Sequence, residues 1–192
     1  MKKVLILFLI GVVSLLNAME SVKFNGEVLV NKKPLQKNQK IKLGDFIQTK
    51  SKSKVVFNIG KSAFMAKENS QFQVKDDGTT KTLHVISGGV LAVFQHGDGK
   101  HEVKTPNMTA GIRGTAVFAH VEANKSYFCT CYGKTELVNE HNRHAKKLIA
   151  SHHNMVWVTK TKIKPVKEML HHNDDELREL EAFVGRIPEF DK

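Results

Sequence analysis

The chain has 192 residues, of which 30 are Lys or Arg and 19 are Asp or Glu, so its formal net charge is +11 at pH 7. This length suits one domain with an added tail. The sequence contains no G-x-S-x-G elbow, P-loop, H-E-x-x-H or dinucleotide-binding motif, and therefore no motif that indicates an enzyme.

Residues 1–18 have the order of a secretory signal peptide. Lys2 and Lys3 precede an apolar run from Val4 to Leu16, and the small Ala18 ends the segment. The run is too short for a lasting membrane span, and no later run approaches the roughly 20 residues that a membrane helix needs. We therefore predict export to the periplasm, cleavage after Ala18 and no transmembrane span afterwards, with an uncleaved anchor as the alternative.

The chain stays strongly basic without its two N-terminal lysines. In an exported protein this charge faces anionic lipid, lipopolysaccharide or peptidoglycan, so we predict no nucleic-acid partner. Eight lysines lie between Lys32 and Lys54 with the single aromatic residue Phe46 among them, and so without the repeated interleaved aromatics of a nucleic-acid site. We interpret them as solvated faces and guards of sheet edges, and a specific site for an anionic envelope polymer or lipid surface is the alternative.

Short apolar or alternating runs, separated by turn residues, predict a β-rich fold. Strands are predicted at 28–30, 46–48, 54–59, 62–66, 71–74, 81–86 and 90–95. Turns are predicted at Asn31, Gly60, 76–78, 87–89 and 97–99. The close spacing of these turns favours one meandering sheet, a β-sandwich or a roll over alternating strands and helices.

The most informative block lies between Val103 and Phe118. It reads V-K-T-P at 103–106 and G-I-R-G-T at 111–115, followed by a new apolar strand. This block resembles the core signature of the FecR-type domain, the sensory module of the periplasmic ferric-citrate regulator family. Residues 24–28 and 43–49 resemble the opening strands of that domain, so the resemblance covers residues 22–139.

The resemblance implies an exported, mainly β, non-enzymatic domain that acts in envelope signalling through ligand sensing or protein interaction, with an unidentified envelope protein as partner. The sequence departs from the family at the N terminus, where full-length regulators carry a cytoplasmic segment that holds a sigma factor, and then a membrane span, and where we predict a signal peptide instead. We therefore expect a stand-alone form without direct anti-sigma activity. The residues that carry the fold signature, or bind a ligand or partner, are Thr105, Pro106, Gly111, Arg113, Gly114 and Thr115.

Arg113 has two interpretations. Its planar guanidinium could donate to strand-end carbonyls or a buried carboxylate and hold a crossing between strands. Alternatively, it could bind an anionic ligand in a cleft, which would need further convergent polar groups.

Cys129 and Cys131 lie outside what the resemblance explains. They are two positions apart on a predicted strand and therefore point to one face. A disulfide between them would need local bending, because same-face neighbours lie near or beyond the usual limit of Cα separation. Two thiolates on one face supply half of a tetrahedral site for zinc, copper or iron. Thiol redox chemistry and inert core thiols are the other hypotheses, and no C-x-x-C-H motif for haem attachment is present.

Downstream histidines could complete such a metal site. The candidate ligands besides the two cysteines are His141, His144, His152, His153, His171 and His172. His141 and His144 have a ligand-like spacing if their turn is helical. A periplasmic metal-binding protein is therefore the alternative to the sensory module, and a thiol redox protein is a further one.

A capped amphipathic helix is predicted near the C terminus. Asn173 precedes three acidic residues, Leu177, Leu180 and Val184 share one stripe, and Gly185 follows. We expect this helix to be about three turns long and to dock onto the sheet as a lid.

The sequence predicts three parts. These are a signal peptide at 1–18, a FecR-like β domain at 19–139 and a His-rich C-terminal extension at 140–192. The extension should contain a polar connection at 140–147, a strand near 155–159 and the terminal helix.

Overall fold

The computed structural model describes residues 22–97 and 99–192. The predicted signal peptide at 1–18 lies outside the described residues, and both its cleavage and export stay predictions. Within the described ranges, no helix is both long enough and apolar enough to cross a membrane.

The described residues form one sheet of fourteen strands and one α-helix, which confirms a mainly β fold with a short C-terminal helix. The strands are β1 (Val22–Asn25), β2 (Val28–Val30), β3 (Lys33–Pro34), β4 (Phe46–Thr49), β5 (Lys54–Ile59), β6 (Ser62–Ala66), β7 (Gln71–Asp76), β8 (Thr80–Val93), β9 (Lys100–Lys104), β10 (Met108–Glu122), β11 (Lys125–Asn139), β12 (Ala145–Ala150), β13 (Asn154–Thr159) and β14 (Ile163–Val166). The helix α1 spans Asp174–Phe183, and a 3₁₀ turn follows at Glu189–Asp191.

Three long strands, β8, β10 and β11, organise the sheet by changing partners along their length. One edge of β10 pairs with β11, and its other edge pairs first with β9 and then with β8. The free edge of β11 is shared between β13 and β12. Strands β8 and β9 pair in parallel, whereas the β7–β8 and β10–β11 pairs are antiparallel. The sheet is therefore a meander in which β11 joins the N-terminal strands to the C-terminal ones.

Two apolar cores lie on the two faces of this sheet. Along β11, Phe128 faces the larger core, whereas Tyr127 and Cys129 face a smaller core, as the two-residue alternation of a strand requires. Leu177 and Leu180 of α1 are fully buried in the smaller core. The helix therefore covers the outer face of the sheet as a lid, as predicted.

The N terminus of α1 carries the predicted cap. The side chain of Asn173 accepts a hydrogen bond from the Glu176 amide at 2.9 Å, and the Glu176 carboxylate accepts one from the Asn173 amide at 3.1 Å. This reciprocal pair satisfies two backbone donors that a helix start otherwise leaves open. Helical structure ends at Phe183, two residues before Gly185 with φ +70°.

The turn predicted at 87–89 was wrong, because β8 runs unbroken through it. Gly88 has φ +70° inside the strand, and the register with β7 shifts beside it. A Cβ at Gly88 would lie 2.6 Å from the Cα of Ser70. The glycine therefore serves a bulge and a close strand approach rather than a chain reversal.

Part of the polar connection predicted at 140–147 belongs to a strand. β12 begins at Ala145 and pairs with β11, and only Leu148 of its six residues is buried. A strand that buries one side chain and exposes lysines has the composition of a loop, which is why it was not predicted.

Candidate metal centre

Four side chains from three parts of the chain meet beneath the start of α1. Cys129 and Cys131 project from β11, His153 lies in the β12–β13 turn, and His172 precedes α1. One ligand atom from each residue lies within 4.8 Å of the other three. The fold thus brings together four of the eight residues that the sequence predicted as metal ligands.

Local backbone geometry positions His153. Its backbone has φ +51°, and its amide donates to the carbonyl oxygen of Cys131 at 2.8 Å. The ring is thereby placed beside β11, with Nδ1 at 3.3 Å from the Sγ of Cys129.

Packing and one carbonyl position His172. The residue is 7% exposed, and its ring stacks on Phe118 with centroids 4.5 Å apart. Its Nδ1 lies 2.9 Å from the carbonyl oxygen of Leu170, and its Nε2 lies 3.7 Å from the Sγ of Cys131.

Asp174, the first residue of α1, orients the other imidazole. Its Oδ1 lies 2.7 Å from Nε2 of His153, and the same carboxylate lies 3.1 Å from Nε2 of His152. When His153 donates Nε2–H to this carboxylate, its Nδ1 presents a lone pair to the cluster. Each of the two cluster histidines thus has one nitrogen near sulfur and the other near an oxygen acceptor, the usual arrangement of metal-binding histidines.

The pKa values of the two thiols are shifted in opposite directions. Burial opposes ionisation of Cys129, yet hydrogen bonds with Cys131, His153 and His172 hold the pKa of its thiol well below the ordinary value. Burial raises the pKa of Cys131, and its interaction with Cys129 raises it further. Cys129 is therefore the first of the pair to ionise.

The same contacts shift the pKa of the groups beside the thiols. Burial lowers the pKa of His153, but its hydrogen bonds to Cys129 and Asp174 outweigh this effect, and the pKa is raised. Burial works against the ionised form of Asp174, but hydrogen bonds from His153 and His152 lower the pKa of its carboxyl.

The donor set of two sulfurs and two imidazole nitrogens suits a tetrahedral ion. Ordinary Zn–S and Zn–N bond lengths imply a separation of about 3.6 Å between a sulfur and a nitrogen ligand of a tetrahedral ion. Two of the four sulfur–nitrogen distances in the cluster, Cys129–His153 and Cys131–His172, are 3.3 Å and 3.7 Å. Both cysteines are free thiols, and both are fully buried. Burial disfavours a thiol redox role, which needs an accessible thiolate.

The remaining predicted histidines lie around or away from this cluster. His152 shares the Asp174 carboxylate with His153, and the two rings lie with centroids 4.5 Å apart. His171 stacks on His120 with centroids 4.0 Å apart. His141 and His144 are exposed in the β11–β12 turn, which is not helical. Within the described residues, neither of these two belongs to a group of three ligand-capable side chains.

His120, Glu122 and His171 form a second, more exposed ligand-capable group. Burial and the neighbouring His171 lower the pKa of His120 to about 4. The sequence did not predict this group, because His171 is far along the chain from His120 and Glu122.

Several signature residues build the fold. The hydroxyl of Thr105 accepts from the amides of Asn107 and Met108 at 3.2 Å and from Ser126 at 2.9 Å, which closes the β9–β10 turn. Pro106 follows in this turn and is exposed. The turn therefore depends on buried hydrogen bonds rather than on a ligand.

Thr115 and Gly114 shape an irregularity in β10. The hydroxyl of Thr115, fully buried, donates to the carbonyl oxygen of Tyr132. Gly114 has φ +53°, and a Cβ there would lie 2.5 Å from the ring of His96. Both residues sit where the register between β10 and β11 shifts.

Arg113 points to the surface instead of into a strand crossing. It is exposed and lines a cavity of about 620 Å³, together with Gly111. Within residues 22–97 and 99–192, its side chain makes no hydrogen bond or ion pair with a carbonyl or carboxylate. We call this cavity the cationic groove, and its charged lining residues are Lys100, Arg113, Lys134 and Lys147 with Glu102 and Glu136.

Sequence reasoning missed a buried polar contact between α1 and the sheet. The carboxylate of Glu181 is 1% exposed and accepts from the hydroxyl of Tyr132 and from Nε of Arg186 at 2.7 Å. Burial and the Glu181 carboxylate raise the pKa of Tyr132. The available signal was that Glu181 follows Leu177 by four residues and so continues the apolar stripe.

Residues 45–131 match the FecR family model, described as FecR protein, so the chain contains a FecR-type domain and this prediction is confirmed. The match supports a role in signalling or regulation. No curated protein sequence matches the chain. The matched segment includes Cys129 and Cys131, whereas His153, His172 and Asp174 lie beyond it.

Two solved structures resemble the fold, and both are of a candidate anti-sigma factor from Parabacteroides distasonis ATCC 8503. One has a TM-score of 0.56 and 10% identity, over 71% of this chain and 65% of that chain. The other has a TM-score of 0.53 and 11% identity, over 64% of this chain and 58% of that chain. The chain thus spans less than two thirds of the length of either relative.

Proposed function

We propose that this protein is a non-enzymatic sensory and protein-interaction module that is exported to the periplasm and acts in envelope signalling. The FecR match over residues 45–131 carries the proposal. The two solved structures that share the fold are of a candidate anti-sigma factor. We therefore propose that this chain also binds a protein partner in signalling.

The cationic groove is the partner surface we propose. Arg113 stands exposed in it, opposite Lys134 in the β10–β11 register. Among the described residues, four cationic side chains and two carboxylates line the groove, and this excess of positive charge suits an acidic segment of a partner protein. Binding there transmits a signal only if the ligand-bound and ligand-free protein differ in affinity for that partner.

Site-specific photocrosslinking in cells tests this proposal. A crosslinker at Lys134 or Lys147, both in the groove, should capture the same envelope protein, whereas one at the exposed Lys37 outside the groove should not. Arg113→Glu should abolish capture while the circular dichroism spectrum of the sheet stays unchanged. Equal capture from Lys37, or capture unaffected by Arg113→Glu, would remove the groove from the proposal.

Export is tested on the same cells by fractionation and N-terminal sequencing. The expected species is periplasmic and begins at Met19, because cleavage is proposed after Ala18. A cytoplasmic chain that still begins at Met1 would contradict both export and cleavage.

Metal binding is a second candidate function. It is favoured by the largely buried cluster that Cys129, Cys131, His153 and His172 form. It is compatible with the sensory module, since a metal could be the ligand or a structural element. Elemental analysis of the purified protein against a Cys129→Ser, Cys131→Ser variant tests it. A metal present in near-stoichiometric amount and lost in the variant supports this function, and equal metal content in both proteins contradicts it.

A further inference from the structure

We propose that Cys129, Cys131, His153 and His172 hold one zinc ion, and that this ion fastens the C-terminal lid to the β-sheet. The lid is residues 167–192, which contain α1. The proposal rests on the second candidate function, metal binding, and adds the identity of the metal and its structural role.

The donor set selects zinc. Thiolate and imidazole ligands exclude the oxygen-seeking ions magnesium and calcium, and a set of two sulfur and two nitrogen donors is typical of tetrahedral zinc, whereas copper(II) prefers square-planar nitrogen and oxygen ligands. Four protein ligands leave no open position, which is the pattern of structural zinc rather than catalytic zinc.

Charge balance favours the same ion. Two thiolates and two neutral imidazoles neutralise a divalent cation, so the complex adds no net charge to a buried site. The site lies in the smaller core, among apolar side chains such as Met155 and Leu177. A neutral complex is what such surroundings tolerate.

The lid supplies one ligand and the groups that orient both imidazoles. His172 belongs to it, and so do both oxygen acceptors that orient the imidazoles, the Asp174 carboxylate and the Leu170 carbonyl. The sheet supplies both sulfurs from β11, and the β12–β13 turn supplies His153. The site is therefore complete only when the lid is closed, so zinc binding and lid closure are one equilibrium.

The ion pairs and the helix itself hold the lid only weakly in the absence of zinc. Lys67–Glu176 and Lys54–Glu179 are partly exposed ion pairs at 2.5 Å and 2.7 Å, and pairs of this kind contribute little. The helix has ten residues, which is short for a helix that must be stable by itself. The apolar contacts of Leu177 and Leu180 and the buried hydrogen bond from Tyr132 to Glu181 remain as the main metal-independent attachments.

Opening of the lid would expose aromatic side chains of the smaller core. Phe118 and Tyr127 are fully buried in the core that the lid covers, and the Tyr127 hydroxyl accepts a hydrogen bond from the Leu170 amide at 3.3 Å. Trp157, the single tryptophan of the chain, lies 5.4 Å from the Tyr127 ring and 6.4 Å from the His171 ring. Tryptophan fluorescence is therefore a reporter of the lid.

The first measurement is metal content. The purified protein should hold one zinc per chain, and cobalt(II) in its place should give thiolate charge-transfer and tetrahedral d–d absorption. Both signals should be lost in the Cys129→Ser, Cys131→Ser variant and in His172→Ala, and both should persist in the matched control His141→Ala, which removes an exposed histidine. His172→Ala keeps the test valid if the double cysteine variant does not fold, because His172 lies on the lid rather than in the sheet.

The second measurement is lid opening. Lys167 is exposed in the segment before His172, so trypsin cleavage there reports release of the lid. If zinc binds only the closed form, free zinc at 100 times its Kd should suppress opening about 100-fold. Chelation should therefore speed cleavage at Lys167 and shift Trp157 emission, added zinc should reverse both effects, and His172→Ala should stay open with zinc present.

The two measurements separate the possible failures. Absence of zinc, or zinc retained by both the cysteine and His172 variants, would overturn metal binding and the lid proposal together. Stoichiometric zinc with unchanged cleavage at Lys167 and unchanged Trp157 emission after chelation would overturn the lid proposal alone.

Discussion

Replacing Asp174 by Asn should weaken zinc binding while leaving the sheet folded. The Asp174 carboxylate lies 2.7 Å from Nε2 of His153, whereas the side chain of Asp175 is 92% exposed and pairs with Arg178 at 3.1 Å. Both aspartates lie in the first turn of α1 and interact alike with the helix dipole. Asp175→Asn is therefore the matched control for charge and helix stability.

The expected magnitude follows from these contacts. Removing a carboxylate that orients a metal-binding imidazole costs about 10–100-fold in metal affinity, which is about 1.4–2.7 kcal/mol. The helix-dipole contribution of about 0.3–1 kcal/mol is common to both variants and cancels in the comparison. The pair of Asp175 with Arg178 is solvent-exposed and contributes little to helix stability. The zinc Kd of Asp174→Asn should thus exceed that of Asp175→Asn by about tenfold or more.

A competition titration against a chromophoric chelator measures both constants. Urea unfolding of the zinc-free proteins serves as the control, because the two variants should then differ little in free energy of unfolding. Equal zinc Kd values in the two variants would refute the assignment of Asp174 as the residue that positions His153.

Three further predictions concern the fold and the groove. Leu180→Ala should lower the free energy of unfolding by about 2–5 kcal/mol in urea titrations, because the side chain is fully buried, and a loss below about 1 kcal/mol would contradict tight packing of α1. Gly88→Ala should lower the Tm more than Gly97→Ala, since both have positive φ but only the Gly88 Cβ would lie 2.6 Å from backbone atoms, and equal Tm values would contradict this. Arg113→Ala should change the free energy of unfolding by no more than about 0.5 kcal/mol, because the residue is exposed, and a larger loss would favour the strand-crossing interpretation.

Strand periodicity made half of the candidate metal site predictable. The rule that residues two apart share a strand face is local, so the common orientation of Cys129 and Cys131 could be predicted from the sequence alone. The choice of His153 and His172 among six histidines could not, because it depends on β13 pairing with β11 and on where α1 docks. Both are long-range contacts that no local pattern encodes.

The same distinction explains the errors in the fold. A glycine with positive φ can close a turn or form a bulge, and the sequence around Gly88 is compatible with both. The choice is made by Ser70, the residue before β7, whose backbone approaches the glycine and whose hydroxyl accepts from the Gly89 amide at 2.9 Å. A contact between residues distant in sequence thus decides whether Gly88 forms a turn or a bulge.

Strand β11 links the two proposed sites. Cys131 belongs to the metal cluster, Lys134 lines the cationic groove, and Gly133 between them has φ +90°. A Cβ at Gly133 would lie 2.7 Å from the Cβ of Thr115, so the signature residue and this glycine hold the strand in one conformation between the sites. A change at the cluster can therefore reach the groove by moving this packed segment. Because linkage is reciprocal, a partner that binds the groove more tightly in the zinc-loaded protein must raise the zinc affinity by the same factor. If the groove-bound partner leaves the zinc Kd unchanged, the ion fastens the lid without taking part in signalling.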